Sequence, residues 1–238
     1  MTTTGTVTVR QPHERFHTDL GWLDSWHSFS FGRHHDPDEV GFGLLLVNND
    51  DIVAPGAGFP AHFHRDMEIV TWVLSGALEH RDSTGTEGII RPDLAQRMSA
   101  GTGITHSELN ASSTEPVHFV QMWVLPGPRG IEPSYEQKDL SDALDAGGLV
   151  AVASGQGHDS AVAVHQPDAV LWAGRLGPNQ RATVPDGDHV HLFVAMGSAE
   201  LEGGGALERG AAARLVSAGE LDMVAGSDGA EVLIWVTA

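Results

Sequence analysis

Short apolar runs broken by glycine and proline dominate the pattern of hydrophobic and polar positions in this chain. The sequence contains 29 glycines and 12 prolines, and segments with helical periodicity are scarce. Such a pattern predicts an all-β protein with many turns and little helix. The predicted strands are Phe42–Asn48, Glu68–Leu74, Val117–Leu125, Ala161–Val164, Val170–Leu176, His189–Met196 and Glu231–Thr237. The segment Ser134–Ala146 is the best candidate for a short helix or an irregular connector.

The pattern also repeats within the chain. Ser99-Ala100-Gly101 recurs as Ser217-Ala218-Gly219, and each copy is followed by an apolar strand that contains Trp-Val. Upstream of these tripeptides, residues 73–79 resemble residues 194–200. Three short matches in the same order indicate a duplicated β-unit.

A proline- and glycine-rich stretch, residues 126–133, lies between the two copies. Such a stretch is typical of a connection between two folded units. We therefore predict an N-terminal domain over residues 1–132 and a C-terminal domain over residues 133–238.

Composition narrows the classes of protein to consider. The 238 residues are 41% apolar, which is enough for a hydrophobic core, and they include no cysteine, so disulfides and thiolate metal sites are excluded. No apolar stretch approaches the roughly 20 residues of a membrane span. The first residues, Met1–Gly5, lack the basic and apolar regions of a signal peptide, and we expect a cytoplasmic protein.

The charge balance disfavours direct binding to nucleic acid. The chain carries 32 acidic and 13 basic residues, for a formal net charge of −19. A protein without a basic surplus cannot displace the counterions of a phosphate backbone. Fourteen histidines against 13 lysines and arginines are unusual, and they favour metal chemistry.

Two short strings carry the strongest chemical signal: His62-Phe63-His64 and His106-Ser107-Glu108. Each string places two potential metal ligands at positions i and i+2, which point to the same face of a β-strand. If the two strands meet, three imidazoles and one carboxylate converge. This set of donors suits a divalent transition metal and leaves coordination positions open.

The repeat predicts that only one half of the chain carries this site. Aligned through the matches above, His62 and His64 fall opposite Thr183 and Pro185, and the second pair falls opposite Val224 and Gly226. The second half has its own pair, His189 and His191, but in a different register, and we interpret it as two ordinary strand histidines. We therefore expect one metal in two similar barrels.

The strings around these pairs resemble the signature motifs of a known family. Gly56-x5-His62-x-His64-x3-Glu68 and the motif from Gly101 to Asn110 resemble the two motifs of the cupin superfamily, which are small β-barrels with a central metal. Residues 59–68, 98–108, 121–124 and 132–135 are similar more specifically to the pirin family, and residues 171–176 resemble it more faintly. The resemblance implies a bicupin, two antiparallel jelly-roll barrels, in which the N-terminal domain binds the metal and the C-terminal domain is degenerate.

Two carboxylates compete for the fourth ligand position. Many cupins use the glutamate of the first motif, here Glu68, whereas pirins use the glutamate after the second-motif histidine, here Glu108. Strand parity permits both, because Glu68 is an even number of residues from His64. The pirin resemblance implies His62, His64, His106 and Glu108 as ligands, with Glu68 as an outer or pocket-lining group.

The resemblance also implies a function. Resemblance to the compact pirins implies that the protein is a quercetinase. Such an enzyme is a dioxygenase that opens the heterocyclic ring of flavonols with O2 and releases CO. The resemblance also implies that Glu108 is the catalytic group. It implies one iron(II), while nickel, copper, manganese, cobalt and zinc remain open from the donor set alone. The substrate would then be a small aromatic molecule such as a flavonol. The alternative is a non-enzymatic regulator that binds a transcription factor or a metabolic enzyme through a protein interface.

The N-terminal third also contains an aromatic segment, with Trp22, Trp26, Phe29 and Phe31 interspersed with histidines. We interpret this segment as packing onto the barrel.

Overall fold

The structure, a computed structural model, describes residues 5–238 and consists almost entirely of β-strands. Residues 1–4, on which part of the signal-peptide expectation rests, lie outside the described residues. The first half contains the strands β1 (Thr6–Arg10), β2 (Phe16–Asp19), β3 (Leu23–His27), β4 (Leu45–Val53), β5 (Gly58–His64), β6 (Glu68–Ser75), β7 (Leu78–Asp82), β8 (Glu87–Ile90), β9 (Leu94–Ser99), β10 (Ile104–Asn110) and β11 (Val117–Val124), with a 3-10 turn at Pro12–Glu14. The second half contains β12 (Ser134–Asp139), α1 (Ser141–Asp145), β13 (Leu149–Ser154), β14 (Val162–Ala163), β15 (Ala169–Leu176), β16 (Arg181–Val184), β17 (His189–Leu201), β18 (Gly205–Glu208), β19 (Ala212–Val216) and β20 (Leu221–Thr237).

These elements confirm the all-β prediction with little helix. Between residues 5 and 238, α1 is the single α-helix. It occupies the end of the segment predicted as a helix or connector, but the start of that segment is the strand β12. No helix in this range is long and apolar enough to cross a bilayer.

Two sheets form the first half. A seven-stranded sheet has the order β12-β9-β6-β11-β4-β3-β2, and a four-stranded sheet has the order β5-β10-β7-β8. All pairings within both sheets are antiparallel. The chain passes between the two sheets at the short turn 65–67, between β5 and β6.

A nine-stranded sheet forms the second half, with the order β1-β19-β17-β20-β15-β13-β14 and with β16 and β18 attached to β20 and β17. Its pairings are antiparallel except for the short β13–β14 pair. The two halves exchange strands, because β1 pairs with β19 and β12 pairs with β9. The division of the chain at residues 132 and 133 therefore stays a prediction about folding units.

The halves share a continuous apolar core. One buried cluster contains Trp72 and Val120 from the first half together with Phe193, Leu233 and Trp235 from the second. Each Å² of apolar surface that is buried between the two halves stabilises the folded protein by about 25 cal/mol. This core fixes the first barrel, which holds the candidate site, against the second.

The strand pairing corrects the predicted alignment of the two halves. His62 lies opposite His106 in the first half, and the matching pair in the second half is Ala182 and Met223. Every predicted counterpart is therefore wrong by one residue. The reason is loop length: the turn after Ser217 is one residue shorter than the turn after Ser99, and the turn before β17 is one residue longer than the turn before β6.

In the corrected alignment, all four counterparts are apolar, and they belong to the core of the second barrel. The four counterparts are Ala182, Val184, Met223 and Ala225. Within residues 5–238, no group of three potential metal ligands lies in the second half.

Candidate metal centre

The strands β5 and β10 bring the two ligand strings together. They pair antiparallel, with His62 opposite His106 and His64 opposite Ile104. Between His106 and Glu108 the pairing shifts by one residue, so that Glu108 lies opposite Phe59. The extra residue lies on β5 between Phe59 and His62, and the ring centroids of His62 and His106 are 4.5 Å apart.

The three imidazoles present bare nitrogens to one another. One ring nitrogen of each of His62, His64 and His106 lies within 4.8 Å of those of the other two. Nε2 of His64 and Nε2 of His106 are buried and have no hydrogen-bond partner. The Nδ1–H of His62 donates to the Pro60 carbonyl at 2.8 Å, which leaves its Nε2 as the lone-pair nitrogen. Buried nitrogens without partners are rare, and two of them that converge with a third lone-pair nitrogen fit a metal ion.

Burial keeps these imidazoles in the neutral form that binds metals. It lowers the pKa of His64 to about 4, with a smaller contribution from His62. It lowers the pKa of His106 to about 2, with smaller contributions from His62 and His64. Neutral imidazole is the ligand form of histidine, so the two groups are ready to bind near neutral pH.

Glu108 lies beside His106, on the inner side of the three imidazoles. Its carboxylate is buried and lies within 4.8 Å of ligand atoms of His106 and His80. Burial raises the pKa of Glu108 to about 7, against a hydrogen bond of 2.7 Å from Gln121. The Gln121 amide is oriented in turn by Trp123, whose Nε1–H donates to its oxygen at 3.2 Å. Glu108 thus has a fixed position, and in the metal-free protein its pKa lies near neutral pH.

The other candidate carboxylate, Glu68, lies elsewhere. It accepts hydrogen bonds from the Ser99 hydroxyl at 2.8 Å and from the backbone N–H of His165 at 3.1 Å, at the contact between the halves. It does not line the cavity described below. The parity argument fails because the strand is broken at residues 65–67, so Glu68 belongs to the other sheet.

A cavity of about 500 Å³ opens onto the site. His62, His64 and Glu108 lie in its wall, and its apolar sides include Leu23, Phe59 and Trp123. Such a volume and lining are typical of small-molecule pockets. The set of potential ligands is therefore reachable from outside the barrel.

The aromatic N-terminal segment contributes to this cavity, which the packing interpretation missed. Phe31 and His27 line the wall, whereas Phe29 packs into the shared core as expected. The Nδ1 atom of His27 contacts the Asn49 amide oxygen at 2.9 Å, and its Nε2 contacts the Thr18 hydroxyl at 3.0 Å.

A second buried carboxylate, Asp51, also lines the cavity. The hydroxyl of Ser25 donates to it. Burial raises the pKa of Asp51 to about 7, and the neighbouring Asp50 and Glu108 add to this rise. The polar side of the cavity therefore holds two carboxyl groups that titrate near neutral pH.

Sequence reasoning also missed His80, Asp82 and Gln121. His80 lies with His106 and Glu108 in a second, deeper group of potential ligands, and its Nε2 is 3.0 Å from Asp82. A usable signal was present, because His80-Arg81-Asp82 has the same i,i+2 spacing as the two strings that were recognised.

Comparisons with known proteins agree with the fold. The family profile for pirin matches residues 8–124, and the profile for the quercetinase C-terminal cupin domain matches residues 151–235. A Mycobacterium tuberculosis protein, provisionally named as a quercetin 2,3-dioxygenase, is 54% identical over 98% of this chain and 95% of its own length. The quercetin 2,3-dioxygenase of Escherichia coli is 48% identical over 70% of this chain and 71% of its own length.

Solved structures extend this likeness. The bacterial pirin YhhW of Escherichia coli, solved in complex with nickel(II), has a TM-score of 0.89 and 36% identity, and the match covers 98% of this chain and 99% of that one. The cupin fold, the His/Glu cluster and the nickel complex of this relative together point to a divalent metal. Sequence and structure agree over nearly the whole length, and the chain belongs to the pirin family.

Proposed function

We propose that this protein is a metal-dependent dioxygenase of the quercetinase type. In this proposal it opens the heterocyclic ring of a flavonol with O2 and releases CO. The observation that carries the proposal is the convergence of the His62, His64 and His106 nitrogens beside an open, largely apolar cavity, with the Glu108 carboxylate next to His106. The names of the relatives support the same reaction class.

His62, His64, His106 and Glu108 are the proposed metal ligands. A divalent metal held there would supply Lewis-acid chemistry and lower the pKa of a bound hydroxyl group. Iron(II) is our proposed metal; the nickel bound by the Escherichia coli relative shows that a similar fold accepts another divalent ion. Imidazole and carboxylate donors suit several first-row metals, so metal supply decides occupancy.

Glu108 is the proposed catalytic group. Its buried carboxylate lines the cavity and is placed to take a proton from a flavonol 3-hydroxyl that enters there. The hydrogen bond from Gln121 orients the Glu108 carboxylate, whose other oxygen would bind the metal. Phe59 and Trp123 offer aromatic surface to a flat substrate and exclude water from the site.

The regulatory alternative requires a site that is closed to small molecules. A cavity of about 500 Å³ is within the usual range for ligand pockets, which favours the enzyme over the regulator. Binding to a protein partner and a cytoplasmic location stay predictions from the sequence.

Aerobic turnover of quercetin tests the proposal. The metal-free protein is loaded in parallel with iron, nickel, copper, manganese or cobalt, and quercetin absorbance, O2 consumption and CO release are followed. We expect equal amounts of quercetin and O2 to disappear with at least one metal, and a loss of about 100-fold or more in the Glu108→Ala variant. If no metal supports consumption of any flavonol, the enzyme proposal fails for this substrate class.

A further inference from the structure

A second pair of side chains, His80 and Asp82 on β7, lies directly behind His106. The Nδ1 atoms of His80 and His106 are 3.4 Å apart, and Nε2 of His80 is 3.0 Å from Oδ2 of Asp82. The side chains of His80 and Asp82 are both fully shielded from solvent, and neither lines the cavity. Asp82, His80 and His106 form a hydrogen-bond chain that starts at Asp82 and ends at the candidate metal position.

The direction of the hydrogen bonds in this chain is fixed at Asp82. The backbone N–H and the hydroxyl of Thr84 donate to Oδ1 of Asp82 at 2.8 and 2.6 Å, and the N–H of Thr86 donates to it at 3.2 Å. A carboxylate that receives three donors on one oxygen is an acceptor on the other as well. The proton between Asp82 and His80 is therefore on Nε2 of His80.

The rest of the chain follows from the chemistry of neutral imidazole. A neutral ring carries one N–H, so Nδ1 of His80 is an acceptor, and Nδ1–H of His106 donates to it. Nε2 of His106 is then left as a bare lone pair. This is the atom that is buried without a partner and faces His62 and His64. The opposite order would place a hydrogen on Nε2 of His106, where there is no acceptor.

We propose that Asp82 and His80 are positioning residues that set the tautomer of His106 and so keep its Nε2 available to the metal. This inference rests on the proposed metal site and deepens it. A ligating histidine that donates its other N–H to an acceptor is held in orientation and becomes a stronger donor to the metal. Tyr135 packs against the His80 ring, with centroids 4.6 Å apart, and keeps it in place.

The Asp82→Asn substitution should reverse the direction of the hydrogen bonds that join residue 82, His80 and His106. The two backbone N–H groups of Thr84 and Thr86 require an acceptor at the Oδ1 position, so the amide oxygen must stay there and the NH2 group must face His80. The amide then donates to Nε2 of His80, His80 donates to Nδ1 of His106, and the hydrogen of His106 moves to Nε2. In Ser-His-Asp proteases, the same change from Asp to Asn leaves the geometry intact but presents the wrong histidine tautomer.

Two measurements test this prediction. Long-range 1H–15N spectra of metal-free, 15N-histidine-labelled protein report which ring nitrogen of His106 carries the hydrogen, with its signals identified by their loss in His106→Gln. We expect Nδ1–H in the wild type and Nε2–H in Asp82→Asn. Competition with a chelator for Ni(II) gives the second readout, and we expect affinity in Asp82→Asn to fall by roughly 10–100-fold.

The matched control is Asp139→Asn. Asp139 also accepts from a backbone N–H and a hydroxyl two residues later, those of Ser141, but it lies at the surface. This variant should keep the wild-type tautomer and affinity. If Asp82→Asn fails to fold, His80→Phe keeps the packing against Tyr135 without any acceptor, and it should lose the single Nδ1–H tautomer of His106 and weaken Ni(II) binding.

The proposal is overturned if wild-type His106 carries its hydrogen on Nε2, or if Asp82→Asn leaves the tautomer unchanged. It is also overturned if Ni(II) affinity stays within twofold when the tautomer reverses. Because the tautomer is read without metal or substrate, a protein that consumes no flavonol can still show the predicted order. Failure of the dioxygenase proposal is thus distinguishable from failure of this one.

Discussion

The interiors of the two barrels differ at equivalent positions of one strand pairing. The first interior holds three imidazoles and a carboxylate, and two of its histidine nitrogens are buried without a partner. The second interior holds alanine, valine and methionine at the corrected counterparts and forms a dense apolar cluster. Apolar side chains thus fill the second barrel, whereas the same β-framework in the first barrel leaves space and donor atoms for a ligand.

This difference has an energetic meaning. Each buried polar group without a partner costs about 1–3 kcal/mol, so the first barrel is less stable without metal than an apolar equivalent would be. The second barrel has no such cost and also contributes to the core shared with the first. We infer that the second copy stabilises the molecule while the first carries the chemistry.

The largest expected effect comes from His64→Val, which gives the first barrel the residue of the second barrel at this position, Val184. Metal affinity should fall by more than the roughly 10–100-fold that loss of an outer-shell partner causes, because a ligand itself is removed. The free energy of unfolding of the metal-free protein should stay equal or rise, since a buried nitrogen without a partner is replaced by a methyl group. Isothermal titration with Ni(II) and denaturant unfolding measure the two effects.

A control for this exchange is His35→Val, at an exposed position outside the cavity lining. It should leave metal affinity and the metal-induced rise in melting temperature at wild-type values. A His64→Val protein that binds Ni(II) as tightly as the wild type would exclude His64 as a ligand.

The reciprocal exchange, Met223→His, places an imidazole in the apolar barrel. Met223 is fully buried and pairs with Ala182, so both ring nitrogens would be without partners. We expect the free energy of unfolding to fall by roughly 3–5 kcal/mol. Met223→Leu, which conserves volume, should cost less than about 1.5 kcal/mol. Guanidinium unfolding curves give the free energies of unfolding, provided that their dependence on denaturant concentration is the same in both variants. Equal losses of stability in Met223→His and Met223→Leu would contradict this prediction.

Much of this contrast was predictable from local sequence rules. The i,i+2 spacing predicted that His62 lies near His64 and His106 near Glu108, as they do in the structure, because side chains alternate along a strand whatever the fold. The repeat predicted two similar units and a second unit without the ligands. The all-β class followed from short apolar runs between glycines.

The remaining features depend on loops and on distant contacts. The alignment of the halves was wrong by one residue because two turns differ in length by one residue, and a shift of one residue moves the side chains of the adjoining strand to the other face. The roles of Asp51 and Gln121 were missed because each approaches the site from a strand that pairs only in three dimensions. Short local patterns do not carry such information.

A smaller effect concerns Asp51, a buried carboxyl group on the polar side of the first barrel. Its pKa of about 7 in the folded protein exceeds the ordinary value of 3.8 because of burial. The folded state therefore holds this proton more tightly, and the associated stability is fully present below pH 3.8 and is lost as the pH rises toward 7. At about 1.4 kcal/mol per pKa unit, the metal-free wild type should lose roughly 2–4 kcal/mol across this range.

In Asp51→Asn this decline should be smaller, because only Glu108, whose pKa is also raised to about 7, still contributes to it. The stability of the variant relative to the wild type should therefore be greater at pH 8 than at pH 4. Unfolding free energies measured at half-unit steps of pH give the two slopes. The exposed Asp188→Asn variant should keep the slope of the wild type. Parallel curves for Asp51→Asn and the wild type would show that Asp51 titrates normally.

The smallest effect on the metal is expected from Glu68→Gln. Glu68 has the motif position that many cupins use for a ligand, but in this structure its carboxylate accepts from Ser99 and from the backbone of His165. Ni(II) affinity should therefore stay within about twofold, while the free energy of unfolding falls by about 1–2 kcal/mol, because a neutral amide oxygen accepts weaker hydrogen bonds than a charged carboxylate does. Glu108→Gln should show the reverse: much weaker Ni(II) binding with little loss of stability in the metal-free protein. If the two variants exchanged these results, the fourth ligand would come from β6 rather than β10, and the comparison of the barrel interiors would have to be redrawn around Glu68.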